Sequence, residues 1–268
     1  MRTPKNIGKT DPEGSTARLA VLIDADNAQA SVIEGILAEV ASHGEAIVKR
    51  IYGDFTSSRS SSWKGTLQKF AIKPVQQFAY TTGKNATDST LIIDAMDLLY
   101  TGKFDGFCLV TSDSDFTGLA TRLREEGVRV LGFGEQKTPD AFRNACDKFI
   151  FTEVLRPRGS DARKAVSDVK AEKVSRPGKQ AARASSTSSF PERFVLDALE
   201  QSSDEDGWAH LGTFGRYLNK LKPDFDSRVY GYKKLSDLVK AKTDLFVTEE
   251  RAISGQSTKN LYLRAKQQ

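Results

Sequence analysis

Residues 19–23 (LAVLI) form an unbroken apolar run of strand length, and the polar cluster DADN follows at once. Such a run, bounded by turn residues, fits a strand buried on both faces. The period then changes. Val32, Ile33, Ile36, Leu37 and Val40 recur at helical spacing, which predicts a helix over 30–42 that stops at His43-Gly44. The same alternation continues. Strands are expected at 46–52 (AIVKRIY), 72–79 (IKPVQQFA), 106–110 (GFCLV), 128–133 (VRVLGF) and 148–151 (KFIF). Helices are expected from the Ser60–Ser62 cap to about Phe70, from Asp88 through Leu99, over 116–126 and over 138–145. Pro74 places its strand near a sheet edge. Strand and helix in turn predict an α/β fold, with a central, mostly parallel sheet covered on both faces.

The pattern breaks after residue 155. Residues 156–189 are rich in Arg, Lys, Ser and Ala with two prolines, a basic flexible linker by composition. Periodicity resumes at 190. Helices are expected over Pro191–Gln201, Leu211–Lys220 and Lys233–Ala241, with a KPDFDS turn before the third. Short strands at 244–249 and 259–264 flank a loop containing Gly255. Three helices and a terminal hairpin predict a small winged helix over 190–264. Residues 1–18 lack the apolar core of a secretory signal and read as a disordered tail.

Charge adds to this division. The chain carries a formal +5, unevenly spread. Residues 19–155 hold 14 basic and 18 acidic side chains, and 156–189 hold 9 and 3. A basic tether beside an acidic domain suits a polyanionic substrate. The two cysteines, Cys108 and Cys146, and the two histidines, His43 and His210, make neither a disulfide framework nor a zinc site. No apolar run reaches the ~20 residues of a membrane span. A reduced, cytoplasmic setting is expected.

The acidic clusters carry the chemistry. DADN ends the first strand and TSDSD ends the fourth, so one parallel sheet brings both to its carboxyl edge. Asp24, Asp113 and Asp115 are therefore candidate metal ligands and catalytic groups. Asp88 opens a helix, where a carboxylate also serves as an N-cap. Phosphodiester hydrolysis needs charge neutralised on phosphoryl oxygens and a water made nucleophilic, which Mg²⁺ or Mn²⁺ supplies on oxygen ligands. Thr111, Ser112 and Ser114 can donate hydrogen bonds around the aspartates. Asn27 can hold substrate or fix the Asp24 loop. Asp26 and Asp94 either border the site or face solvent.

The motifs LAVLIDADNA, KNATDSTLIIDAMDLLY, DGFCLVTSDSDF and GFGEQKTPDAFRNACDKFI occur in this order over 19–155. They resemble the NYN domain family, in its LabA-like bacterial branch. The resemblance implies a PIN-like three-layer α/β sandwich that cuts RNA at an acidic metal site, leaving a 5′-phosphate and a 3′-hydroxyl. It carries Asp24, Asp88, Asp113 and Asp115 over as site residues, and Asp94 as a further family acid. GWAHLGTFGRYLNKLKPDFDSRVYGYKKLSDLVKAKTDLFV resembles the LOTUS, or OST-HTH, domain. That resemblance implies RNA binding, or docking onto a protein partner. In this region Lys233, Lys234, Tyr230 and Tyr232 are candidate RNA contacts, while Trp208 and Phe225 read as core.

The sequence thus predicts a metal-dependent ribonuclease with an RNA-binding module. Its expected partner is RNA; a protein partner at the C-terminal domain and self-association stay open. One alternative is a regulatory protein that binds RNA through the same two domains without cutting it. Another is a phosphatase with Asp24 as nucleophile, since D-x-D also ends the first strand of haloacid-dehalogenase-type enzymes.

Overall fold

The computed structural model describes residues 16–56, 61–77, 86–156, 190–252 and 259–266. The expected tail (1–18) and linker (156–189) fall almost wholly outside them, as does the Gly255 loop.

Six strands build the larger sheet: β1 (Arg18–Asp24), β2 (Glu45–Gly53), β3 (Lys73–Gln76), β4 (Gly106–Val110), β5 (Arg129–Gly134) and β6 (Lys148–Phe151). Their order is β3-β2-β1-β4-β5-β6, and every pairing is parallel. β3, the strand with Pro74, lies at one edge.

Side chains on the buried strands alternate between two helical layers. Ala20 and Leu22 of β1, with Phe107 and Leu109 of β4, pack under α3 (Ala86–Tyr100), α4 (Thr117–Glu125) and α5 (Asp140–Ala145). Leu19, Val21, Ile23, Cys108 and Val110 point the other way, onto α1 (Ile33–Ala41) and α2 (Ser61–Phe70). This is a three-layer α/β sandwich of PIN-like type. A run that looks uniformly apolar in sequence therefore serves two separate cores.

The chain leaves β1 for β2 on one side and returns to β4 on the other. The crevice where strand order reverses opens at the carboxyl ends of β1 and β4, the usual ligand position in open parallel sheets. Register pairs Ile23 with Val110, so Asp24 and Thr111 leave the sheet side by side. Gly53 lets the neighbouring strand end close in, because a Cβ there would lie 2.7 Å from the Cβ of Ala25.

The C-terminal region is winged-helix-like. It holds α6 (Glu192–Ser202), β7 (Ala209–His210), α7 (Leu211–Leu221), α8 (Leu235–Ala241), β8 (Phe246–Ala252) and β9 (Lys259–Ala265). The small antiparallel sheet runs β7-β9-β8. The expected third helix begins two residues later than its Lys233 start, at Leu235, and a 3-10 turn before it, Ser227–Tyr230, ends at Gly231 (φ +88°). The left-handed residue is what ends that turn.

The winged region sits against β6, the other edge of the large sheet. The Phe149 N–H donates to the Pro223 carbonyl at 2.9 Å. Arg143 pairs with Asp224 at 2.5 Å, and Arg228 bridges Asp226 and Glu39, the latter at 2.7 Å. Among the described residues no helix is long and apolar enough to cross a membrane.

Candidate metal centre

Asp24 is fully buried at the end of β1. Its carboxylate accepts from Asn27 Nδ2 at 2.8 Å, Thr111 Oγ1 at 2.9 Å and the Asp26 N–H at 3.0 Å. Burial pushes its pKa up, and the bonds from Asn27 and Thr111 pull the other way. Thr111 acts twice, since its hydroxyl also accepts from the Asp113 N–H at 3.1 Å. Asp113 then caps the 3-10 turn Ser114–Phe116, accepting from the Asp115 N–H at 2.9 Å. A chain of short hydrogen bonds thus runs from β1 across to the loop after β4.

Asp88, in the first turn of α3, comes over the same edge. Asp88, Asp113 and Asp115 each offer a carboxylate oxygen, all within 4.8 Å of one another. Burial and the negative charges of Asp24, Asp113, Asp115 and Asp26 push the Asp88 pKa up to about 6. Asp24 is not one of that trio but lies close enough for its charge to act on Asp88. Asp26 is exposed beside it.

The other candidates take supporting or separate places. Asn27 holds Asp24. The Ser112 hydroxyl accepts from the Glu135 N–H at 2.9 Å, which ties the β4 loop to the end of β5. Ser114 is exposed, and its carbonyl accepts from Thr117. Asp94 is not one of the trio and is held by Arg50 and the Tyr52 hydroxyl, both from β2. Burial, with the Asp94 carboxylate alongside, raises the Tyr52 pKa. Sequence reading missed this brace. Arg50 and Tyr52 sit in an ordinary strand, and only the β2–α3 packing identifies their partner.

In the winged region, Lys233 and Lys234 are exposed. Tyr230 is half-buried, packed edge-on against Phe190 at 5.2 Å and tilted on Phe225 at 5.8 Å, and Tyr232 packs on the same core. Phe225 lies in that core as expected, but Trp208 does not. It sits half-buried on the outer face of the small sheet, with Arg251 and Arg264 over its ring. An aromatic next to a two-residue strand has no periodicity to show which side it takes.

Residues 18–155 match the NYN domain. The chain belongs to the NYN domain family. This is a nuclease family of PIN-like fold, and its span coincides with the large sheet and its two helical layers. Residues 187–258 match the OST-HTH/LOTUS domain, a module associated with RNA binding. A comparison with curated proteins gives no match. Among solved structures, a solution structure of an uncharacterised Nitrosomonas europaea protein is 65% identical over 37% of this chain and 94% of that one, with a TM-score of 0.29. A Vibrio parahaemolyticus protein of unknown function is 18% identical over 52% of this chain and 94% of its own, with a TM-score of 0.43. A Chromobacterium violaceum protein is 32% identical over 28% and 77%, with a TM-score of 0.23.

Proposed function

We propose that this NYN protein is a metal-dependent ribonuclease, most simply an endoribonuclease, that works in the cytoplasm. Residues 19–155 carry the catalytic site, 190–264 form the RNA-binding module, and the basic segment 156–189 joins them. The observation that carries the reading is the convergence of Asp88, from a helix, with Asp113 and Asp115, from the end of β4, within 4.8 Å.

The donor set fits a hard dication. The trio offers carboxylate oxygen without histidine or sulfur, which suits Mg²⁺ or Mn²⁺. Burial raises the Asp88 pKa most, and the carboxylate repulsion that adds to it is the kind a dication relieves. Asp88, Asp113 and Asp115 would hold the ion, with the buried Asp24 near enough for its charge to act on Asp88. When bound, such an ion neutralises phosphoryl oxygens and makes water a better nucleophile.

The chain's own residues supply the positioning. Thr111 and Asn27 fix Asp24, and Asp24 adds negative charge close to Asp88. Ser112 locks the loop after β4. Asp94, gripped by Arg50 and Tyr52, pins α3 to the sheet and so sets where Asp88 stands one and two-thirds turns earlier. The buried, fully hydrogen-bonded Asp24 does not suit a covalent phosphatase nucleophile, which must be free to attack.

Labelled single-stranded RNA incubated with the full chain should be cut with Mn²⁺ and left intact with chelator, giving 5′-phosphate ends. Asp113→Asn should lower the rate on the order of 100-fold or more, as expected when a charge-stabilising group is lost. Cleavage that persists in chelator, or in Asp113→Asn, refutes the proposal. Tight RNA binding without products would identify a regulatory RNA-binding protein.

A further inference from the structure

The small sheet has two faces. Leu263 of β9 and Phe246 of β8 point inward to the helices. Strand alternation sends Tyr262 and Arg264 of β9 outward, and Arg251 of β8 is paired in register with outward-facing Asn260. His210 of β7 stands opposite Tyr262 across the ladder, ring centroids 5.4 Å apart and edge-on.

These outward side chains form one contiguous array. The Arg251 guanidinium lies 4.5 Å from the Tyr262 ring centre and 4.8 Å from that of Trp208. Arg264 lies 4.9 Å from the Trp208 ring. Arg251 also reaches Glu249 at 3.3 Å, on its own strand. Among the described residues no carboxylate pairs with Arg264.

A fold has little reason to place this set on an open sheet face for stability alone. Each half-buried ring forgoes burial in the core, and an exposed cation on a ring contributes only ~0.5–1 kcal/mol. For a ligand the array has three useful properties. The guanidiniums are already held over rings and so lose little freedom when they bind. Flat arginine and aromatic surfaces accept unpaired bases of any sequence. The arginine N–H groups can meet phosphates from the same position.

We propose that this face, centred on Trp208, Arg251, Tyr262 and Arg264, is where unpaired RNA nucleotides stack on the C-terminal domain. The inference rests on the RNA-binding part of the reading above, but not on cleavage. It moves the contact surface away from Lys233, Lys234, Tyr230 and Tyr232. The two tyrosines of that group are committed to packing.

The test uses the full chain in chelator, so that binding is read without turnover. The protein has two tryptophans, and the other, Trp63, is 5% exposed inside the first domain. A short single-stranded RNA should therefore quench the fluorescence of Trp208, and a Trp63→Phe variant should retain the whole effect. Anisotropy of the same RNA, dye-labelled, should show Arg251→Ala and Arg264→Ala each weakening binding roughly tenfold. Trp208→Phe, which keeps a stacking ring, should stay within about threefold of the parent, and Trp208→Ala should not. On the unaltered protein, the same RNA as a duplex should compete at least roughly tenfold less well, because its bases are already stacked.

Unchanged binding in the Arg251→Ala/Arg264→Ala double variant overturns the proposal. So does equal competition by duplex, or binding lost instead in Lys233→Ala/Lys234→Ala. Equal quenching by polyglutamate would point to an acidic protein partner and also overturn it. Binding without Mn²⁺-dependent cleavage would refute the nuclease and leave this surface intact. Cleavage without quenching would do the reverse.

Discussion

Asp88 sits where burial and neighbouring carboxylates disfavour its negative charge, and that makes it a readable residue in solution. Its folded pKa, about 6, lies above the ordinary 3.8, so folding takes up a proton between those values. Its contribution to stability is therefore full below the unfolded pKa and lost as pH rises through about 6. Thermal melts in chelator should show the parent losing stability across this window, with Asp88→Asn showing a shallower loss. A cation competing for the same oxygens should bind more weakly as pH falls below about 6, which calorimetric titration would detect. Single residues were unevenly legible. Asp24, Asp113 and Asp115 could be placed because each follows a buried strand, and strand ends of a parallel sheet share an edge. Asp88 needed the family pattern, since a helix start explains it equally well. Arg50 and Tyr52 carried no signal, because their role exists only where β2 meets α3.

At the scale of elements, periodicity recovered all six parallel strands and the helices between them. It recovered less where an element is too short to repeat. The two-residue β7 has no alternation to find, and this hid the side on which Trp208 lies. The short 3-10 turn ahead of the third winged-region helix also went unseen, because it ends on the left-handed backbone of Gly231, which shows only in three dimensions. Junctions between elements are equally silent in sequence and equally consequential. At Gly53 a methyl group would press on Ala25, one residue after Asp24. Gly53→Ala should cost about 1–3 kcal/mol, the usual penalty for overpacking, measured by urea denaturation. The shift falls on the Asp24 loop, so RNA cleavage should drop in the same variant under conditions where it remains folded.

The two halves of the molecule meet through charges far apart in sequence. Glu39 is 13% exposed and faces His43, Arg228 and Lys148. The His43 hydrogen bond and these cations hold its carboxyl well below the usual range. No pattern in the chain pairs Glu39 with Arg228, since their proximity follows from the docking of two domains that the sequence presents separately. Arg228→Ala should destabilise the intact chain by about 1–3 kcal/mol, less than a fully buried pair because His43 and Lys148 remain beside Glu39. Small-angle scattering of that variant should show a larger radius of gyration, and an unchanged radius would mean that Pro223 and Asp224 suffice to hold the contact.

The Phe149–Pro223 hydrogen bond has an effect at larger scale still. An uncovered outer strand offers its N–H row as a template on which further chains can grow. Proline can accept one of those bonds but has no N–H to return. The ladder therefore stops at Pro223, without becoming a seventh strand. The contact that seats the winged domain thus also takes up an edge N–H, that of Phe149, on which a further chain could have grown.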